Sequence, residues 1–340
     1  MKQEKLLELI GGVDESLLME TEQTTRQSGK TIRRCMLLAA IVAALAVTAI
    51  AATERFAALE KGGTGTAQQN TSTSVGTFVY SDGSIYYGST GCIYRYDTQG
   101  KLLQEYPLES KRVTPFYLFA TEDAIAYSGD FSGLTIMPKD GSETETIFQD
   151  VSMTAVHVEG TQLYTTDATR MLTRIDLVTR EKTELMANVI SYYVDDSYIY
   201  AIPKARENCY YRSPKDAIAF ERIELDFCPN KVIADGDSLY FCQWIEKDQR
   251  EDPAQAYRVN RVQNGVTTQL PVYSWFYQVK DNCVLYRESE TYMLKSYDLE
   301  TGETEVLVTD VFEFEVLEDR YLCVDRFNQG IIILDMENSN

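Results

Sequence analysis

From Val75 to the C-terminus the chain is written as short apolar runs separated by polar turns. Runs such as "TFVY" (77–80), "IYRYD" (93–97), "LLQEYPL" (102–108) and "FEFEV" (312–316) have the length and the β-branched and aromatic content of strands. The runs recur in sets. An acidic residue followed five positions later by an aromatic or Cys occurs at Asp82/Tyr87, Glu122/Tyr127, Glu159/Tyr164, Asp195/Tyr200, Asp235/Tyr240, Asp281/Tyr286 and Glu318/Cys323. The steps between the acidic residues are 40, 37, 36, 40, 46 and 37. A period near 40 in a β-rich chain is the spacing of a four-stranded propeller blade.

Each set reads the same way. An apolar strand leads to the acidic turn, where Asp and Asp-Gly pairs are at home. A second strand carries the Tyr. A third follows, as in "LTRIDL" (172–177), "LKSYDL" (294–299) and "IIILD" (331–335), and a turn leads to a fourth, as in "TEVLV" (304–308). Seven sets predict an all-β, seven-bladed propeller over 75–340. Six complete blades with an irregular closing unit is the alternative. The last set stops after its third strand, so ring closure calls for a strand from the segment just before Val75.

The pattern changes toward the N-terminus. Residues 35–52, "CMLLAAIVAALAVTAIAA", hold no charge. As a helix they extend about 27 Å, close to the ~30 Å apolar core of a bilayer. Lys30, Arg33 and Arg34 precede the run, while Glu54, Arg55, Glu60 and Lys61 cancel after it. That bias predicts a single-pass cell-membrane protein with a cytoplasmic N-terminus and an extracytoplasmic large domain. Ala49-Ile50-Ala51 has the small-x-small form of a cleavage site, so a cleaved leader is the competing reading. Residues 53–74, with the Gly/Ser/Thr/Gln-rich "KGGTGTAQQNTSTS" (61–74), read as a flexible linker.

In the tail, 1–34, Leu6, Ile10, Val13 and Leu17 fall on one helical face. Gly11-Gly12 divides the face into two short helices. Asp14 caps the second, with Val13 and Leu18 placed as a hydrophobic staple. Two such helices cannot bury their own apolar faces, and the face is not basic, which disfavours lipid adsorption. Leu6, Ile10, Val13, Leu17 and Leu18 are therefore candidate contacts for a cytoplasmic protein. A short amphipathic tail without a partner is the bland alternative.

Charge sharpens this division. The chain carries −20 formally, and the tail is balanced, so the whole excess lies beyond the apolar run. A domain that acidic repels nucleic acid and anionic lipid, and no nucleic-acid partner is expected. Of seven Cys, six lie beyond the run, irregularly spaced and without a CxxC or Cys/His cluster. Buried free thiols are expected, with Cys209 and Cys228 the candidate pair if a disulfide forms.

Catalytic signals are few. The one histidine, His157, lies in a strand run, and no nucleophile elbow, phosphate loop, zinc helix or dinucleotide fingerprint is present. No catalytic residue, metal or cofactor is expected. Paired carboxylates at a propeller mouth are the one route to hydrolysis or lyase chemistry that remains. Two adjacent copies carry long insertions between the second and third strands, "PKARENCYYRSPK" (203–215) and "WIEKDQREDPAQA" (244–256). Lys204, Arg206, Arg212 and Lys215 form a basic island with a single Glu207, and Tyr210, Tyr211 and Trp244 add amphipathic rings. Lys204, Arg206, Tyr210, Tyr211, Arg212 and Trp244 are thus the candidate site for an anionic, ring-bearing or peptide ligand. The competing reading is that the island pairs with "EKDQRED" and joins two loops.

Two resemblances add to this. "LLELIGGVDESLLMETE" (6–22), followed by a basic patch and an Ala-rich span, resembles the N-terminal tails of many Gram-positive single-pass proteins, some of them anti-sigma-factor-like. It implies a cytoplasmic protein contact. "DGSIYY…YRYD" and "DGDSLYF…YRVN" resemble the Tyr-rich propeller domains of Gram-positive membrane-anchored surface proteins, distantly like YWTD-type propellers, although the YWTD tetrad is absent. That resemblance implies a fold and a binding role. A surface binding or sensing module that signals through the tail is the leading expectation. A non-signalling scaffold for envelope polymer or protein comes second, and a propeller hydrolase or lyase third.

Overall fold

The computed structural model describes residues 77–337 except 121–122, 130–131, 153–154, 160, 178, 281, 319 and 328. The expected cytoplasmic tail, membrane span and linker lie outside these residues. No helix among the described residues is long and apolar enough to cross a membrane.

The chain forms a seven-bladed β-propeller. Each blade is an antiparallel sheet whose strands run in chain order from the centre outward. Six blades have four strands, and the seventh has three among the described residues. Blade one comprises Thr77–Ser81, Ser84–Ser89, Cys92–Asp97 and Leu102–Pro107. The first strands of blades one and two, four and five, five and six, and seven and one lie against each other around the centre.

The radial order follows from composition. Inner strands are packed on both faces by neighbouring blades, and most of their positions are apolar. The second strand of blade two, Ala124–Gly129, is buried at every position but the last. Outer strands face water and are polar, and in Leu102–Pro107 only Tyr106 is buried. The core is accordingly a ring of separate seams between blades. One seam joins Val79, Tyr86 and Ile93 of blade one to Leu118, Ile125 and Tyr127 of blade two. Another joins Tyr200, Ile202 and Tyr210 of blade four to Val232 and Phe241 of blade five. Each fully buried side chain of this size contributes about 1.5–3 kcal/mol. Tyrosine adds polar ties across the seams. The Tyr192 hydroxyl donates to the Tyr164 carbonyl (2.8 Å), and the Tyr277 hydroxyl to the Tyr240 carbonyl (3.0 Å).

The repeated acid–aromatic step proves to be two motifs. In blade one Asp82 (φ 48°) and Gly83 (φ 74°) are the two central residues of a hairpin turn, both left-handed. This is the primed turn that suits strand twist. In blade four Asp195 precedes the turn, and its Oδ1 accepts from the amides of Ser197 (2.8 Å) and Tyr198 (2.6 Å). The acid is thus one position earlier relative to the strands. A one-residue slip in a strand flips the side chain to the other face. Tyr164, Tyr200 and Tyr240 consequently face the next blade, whereas Tyr87, Tyr127 and Tyr286 face the preceding one. Both faces are seams, so either orientation buries the ring.

Closure is direct. Phe78 and Ile85 of blade one pack on Leu317, Tyr321 and Cys323 of blade seven, and Tyr80 stacks on Tyr321 at 5.4 Å. The sealing strand expected from before Val75 lies outside the described residues. Cys209 and Cys228 are not joined, and six thiols are free.

Candidate functional site

In this topology the loops between second and third strands and the connections between blades share one face, the upper face. The hairpin turns between first and second strands lie on the lower face. The structure divides the expected basic island between the two. The second strand of blade four ends at Pro203, and Cys209–Pro214 is its third strand rather than an insertion. Only 204–208 form the upper loop. At about 3.3 Å per residue the third strand then carries Arg212 and Lys215 toward the lower face.

There Arg212 lies over the Tyr198 ring (4.9 Å) and near Glu221 (3.6 Å), and Lys215 pairs with Glu159 (2.7 Å). Tyr210 is buried in the seam between blades four and five, and Tyr211 is half-buried beside the seam between blades three and four. Lys204 and Arg206 do stand on the upper loop, exposed. Arg206 reaches Glu246 of the next blade's loop at 3.8 Å, the loop-joining contact that was the competing reading.

The second insertion is a true loop. Residues 245–256 connect Ser238–Trp244 to Tyr257–Gln263 through two short 3-10 turns. Arg250 lies over the Trp244 ring (4.3 Å) and donates its Nε–H to the Ile245 carbonyl (2.6 Å). Trp244, 37% exposed, meets Tyr257 edge-on at 5.0 Å, and Tyr257 meets Trp275 at 5.1 Å. Of the six candidate residues, Trp244 and the exposed pair Lys204 and Arg206 are on the upper face.

A second cluster lies around the centre of blades five to seven. Lys231, on the first strand of blade five (Pro229–Asp235), is buried. Its ammonium points to the carbonyls of Trp275 (3.3 Å) and Tyr277 (3.5 Å) and lies over the Tyr277 ring. Burial lowers its pKa to about 8, with the nearby Glu315 acting in the opposite direction. Gln278, on the first strand of blade six (Tyr277–Lys280), bridges to blade seven. It donates to Glu315 (2.9 Å) and accepts from the Val316 amide (2.9 Å).

Glu313 and Glu315 stand on the first strand of blade seven (Val311–Leu317), 6% and 4% exposed. Burial pushes both carboxyls well above the usual carboxylate range, and for Glu313 the charges of Glu315 and Asp325 add to it. Neither oxygen of Glu313 has a hydrogen-bond partner among the described residues. Asp325, opposite Glu313 on the neighbouring strand, is raised less. It accepts from the Tyr87 hydroxyl (2.7 Å).

Above Glu313 the upper face carries exposed rings. Phe312 immediately precedes it, and Tyr292 and Phe327 come from the loops of blades six and seven. They are 39%, 42% and 39% exposed. Phe327 lies between the other two, edge-on to Tyr292 at 5.0 Å and to Phe312 at 5.2 Å. Arg287, at the upper end of blade six's second strand (Cys283–Arg287), sits beneath them. Its guanidinium lies over Phe276 (3.9 Å) and Tyr292 (5.6 Å) and donates to the Phe312 carbonyl. Its Nε is buried without a partner. Arg287 and Glu313 feel each other's charge without forming a contact ion pair.

In the sequence "FEFEV" reads only as a strand run, and that reading assigned no role to Glu313 or Glu315. The signal was available: on an innermost strand neither face meets bulk water. His157 behaves as a strand histidine. It lies opposite Tyr164, with Nδ1 unpartnered, and burial lowers its pKa to about 4. No group of three or more His, Cys, Asp or Glu able to hold a metal ion occurs among the described residues.

No family model matches the chain, and no curated protein matches it. Solved structures do resemble it. The WD40 domain of Neurospora crassa Pan2 aligns at a TM-score of 0.56 and 11% identity, over 80% of this chain and 90% of that one. The extracellular domain of a putative one-component system from B. thetaiotaomicron aligns at 0.56 and 14%, over 78% of this chain and 40% of that one. Oligogalacturonate lyase in complex with manganese aligns at 0.55 and 12%, over 76% of this chain and 87% of that one. At such identities the likeness shows the propeller fold alone.

Proposed function

We propose that the chain is a binding protein whose propeller takes its ligand at the upper face of blades six and seven. One observation carries this reading. Phe327 packs edge-on against both Tyr292 and Phe312, and the three rings stand exposed over the buried Arg287, whose guanidinium lies over Tyr292 and donates to the Phe312 carbonyl. Exposed apolar residues scattered singly are ordinary, but a contiguous cluster at a recessed polar group is the make-up of an interaction site. Among the structural neighbours, a WD40 domain and an extracellular domain fit a binding role.

The test is a panel of peptides and glycans offered to the purified full-length chain and to a Tyr292→Ala, Phe327→Ala variant. A Leu102→Ala, Val266→Ala variant, altered at exposed positions on outer strands, serves as control. A ligand lost only in the first variant supports the reading. A ligand held equally by both variants and the parent contradicts it.

The uncharged run 35–52 with its basic N-terminal flank supports a single membrane span with the propeller outside the cell. The apolar face of Leu6, Ile10, Val13, Leu17 and Leu18 supports a cytoplasmic protein contact, of anti-sigma type, through which binding would be signalled. A pull-down with residues 1–34 as bait tests this, with Val13→Asp, Leu17→Asp as control. A protein captured by the parent tail and lost in the control supports signalling, and its absence leaves a tethered scaffold.

A second reading rests on Glu313, Glu315 and Asp325, three carboxyls on neighbouring strands of blade seven, each raised by burial above the usual carboxylate range, as paired acids in glycoside cleavage often are. Product formation from panel glycans, abolished by Glu313→Gln, would favour it over binding alone.

A further inference from the structure

We infer that two copies of this chain pair upper face to upper face about a twofold axis. The cationic rim of blades three and four in each copy, Arg170 and Lys204, covers the aromatic rim of blades six and seven in the other, Tyr292 and Phe327. The inference rests on the binding reading above and names the partner of that same site.

The two rims are built on one backbone frame. Over blades six and seven the Val311 amide donates to the Tyr292 carbonyl (2.8 Å), and the Phe327 amide to the Asp310 carbonyl (3.0 Å). Over blades three and four the Val189 amide donates to the Arg170 carbonyl (2.9 Å), and the Lys204 amide to the Asn188 carbonyl (2.6 Å). The left-handed residues correspond as well. Tyr292 (φ 54°) and Asp310 (φ 59°) match Arg170 (φ 66°) and Asn188 (φ 59°). Equivalent positions thus carry aromatic, acid, aromatic on one rim and cation, amide, cation on the other. The rims stand three of seven blade steps apart, nearly half a turn around the ring, so they cannot meet within one copy.

Each rim offers what the other lacks. Arg170 and Lys204 are exposed, and neither forms an ion pair among the described residues. The acids beside them are engaged. Asp167 accepts from the Thr169 hydroxyl (2.7 Å) and the Met171 amide (2.9 Å), and Glu207 pairs with Arg222 (3.2 Å). On the aromatic rim Glu290 is exposed, and the Asp310 side chain is 56% accessible and 3.9 Å from Arg326. A cation over an aromatic face is attracted by the ring's quadrupole. This chain already makes that contact, with Arg250 over Trp244 and Arg287 over Phe276. The net charge of each copy opposes association at long range. At physiological ionic strength it is screened beyond about 8 Å, and the short-range contacts of the rims decide.

A twofold pair uses one surface twice, so that surface must complement itself. Nearly opposite rims of unlike chemistry meet this condition. An axis over blade five, midway between them, lays each rim on its complement in the other copy. Blade five then faces its own copy through loop 245–256, which carries charges of both signs. A peptide or glycan on the aromatic rim would give Arg170 and Lys204 no part.

The test is sedimentation of the purified full-length chain in detergent over a concentration series near physiological ionic strength. A dimer is expected. Arg170→Glu, Lys204→Glu sets acids against Asp310. Tyr292→Arg, Phe327→Lys sets bases against bases, and uses residue types that the equivalent positions of the other rim already carry. Each variant is expected to weaken the dimer at least about tenfold, since each alters two contacts in both halves of the interface. An equimolar mixture of the two is expected to restore it. One half of the mixed pair then joins acid to base, and the other half is the parent contact. Thermal melting reports the folding of each variant, and if the ring variant does not fold, the folded Glu variant decides alone. A dimer kept by folded Arg170→Glu, Lys204→Glu, or a mixture of folded variants that stays monomeric, overturns the inference. A monomeric parent that binds a panel peptide or glycan, lost in Tyr292→Ala, Phe327→Ala, overturns the second copy as partner and leaves the binding site in place. A monomeric parent with no panel member lost in that variant removes both.

Discussion

The Tyr87 hydroxyl donates to the Asp325 carboxylate at 2.7 Å across a sequence separation of 238 residues, and so ties blade one to blade seven. The bond lies in the closing seam, beside the stacked pair Tyr80 and Tyr321 and the packed Phe78, Ile85 and Cys323. Tyr87→Phe keeps the ring and its stacking on Phe78 but leaves a buried carboxylate short of a donor. The expected loss is about 1–3 kcal/mol. Urea unfolding of the variant beside the parent measures it. An unchanged midpoint would mean that this hydrogen bond adds nothing to the closing seam beyond its apolar packing.

The buried acids give stability a dependence on alkali. Folding raises the carboxyl pKa values of Glu313 and Glu315 above their unfolded values. The native state therefore binds protons more tightly than the unfolded chain. Stability from these groups is fully present below the ordinary carboxylate range and is lost as pH rises through their folded values. Glu313→Gln removes one of them, so the variant should lose less stability than the parent between pH 5 and 8, roughly the span across which such groups titrate. Chemical denaturation at a series of pH values reads this directly. Parallel profiles would contradict it.

His157 acts in the other direction. Its folded pKa is depressed from the ordinary 6.5 to about 4, chiefly by burial, with Lys215 adding repulsion. Its contribution is present above the unfolded value and is lost as pH falls from there through about 4. His157→Phe, which keeps a ring against Tyr164, should flatten the acid limb of the stability profile and leave the alkaline limb unchanged. The same denaturation series checks it. The parent profile is the sum of these opposed slopes, which is why the two variants must be compared separately.

Arg206 and Glu246 form an exposed pair at 3.8 Å, their side chains 82% and 59% accessible. Such pairs are worth well under about 1 kcal/mol. Arg206→Ala should leave the unfolding midpoint within error and should not affect a ligand held at Phe327. Loss of that ligand in Arg206→Ala would return the site to the rim of blades four and five.

The architecture was legible because it is written locally. Four of the seven third strands end in Asp before a polar turn, and Asp97, Asp176 and Asp298 accept from the turn amides that follow them. Such signals need only a few residues of context. The phase of the Tyr was not legible. Asp82 inside a hairpin turn and Asp195 ahead of one look alike in sequence, yet they turn the following ring to opposite faces.

The mouth was still less legible. Tyr292, Phe312 and Phe327 belong to separate loops and a separate strand, and only the ring brings them together. Glu313 carried the same letter as a solvated strand Glu. What distinguishes it is membership of an innermost strand, a property of the closed ring and not of the segment. The basic island misled for a related reason. "CYYRSP" is rich in polar and aromatic residues and so reads as a loop, yet it is a third strand, with Tyr210 in the seam between blades four and five and Tyr211 beside the seam between blades three and four.

Hydrogen–deuterium exchange of the full-length chain, with and without a panel ligand that it retains, tests the site most directly. Binding at the upper mouth predicts added protection in 287–294, 311–313 and 326–330, with the lower hairpin turns at Asp82 and Asp195 unchanged. Protection confined to the lower turns or to outer strands such as Leu102–Pro107 would contradict it.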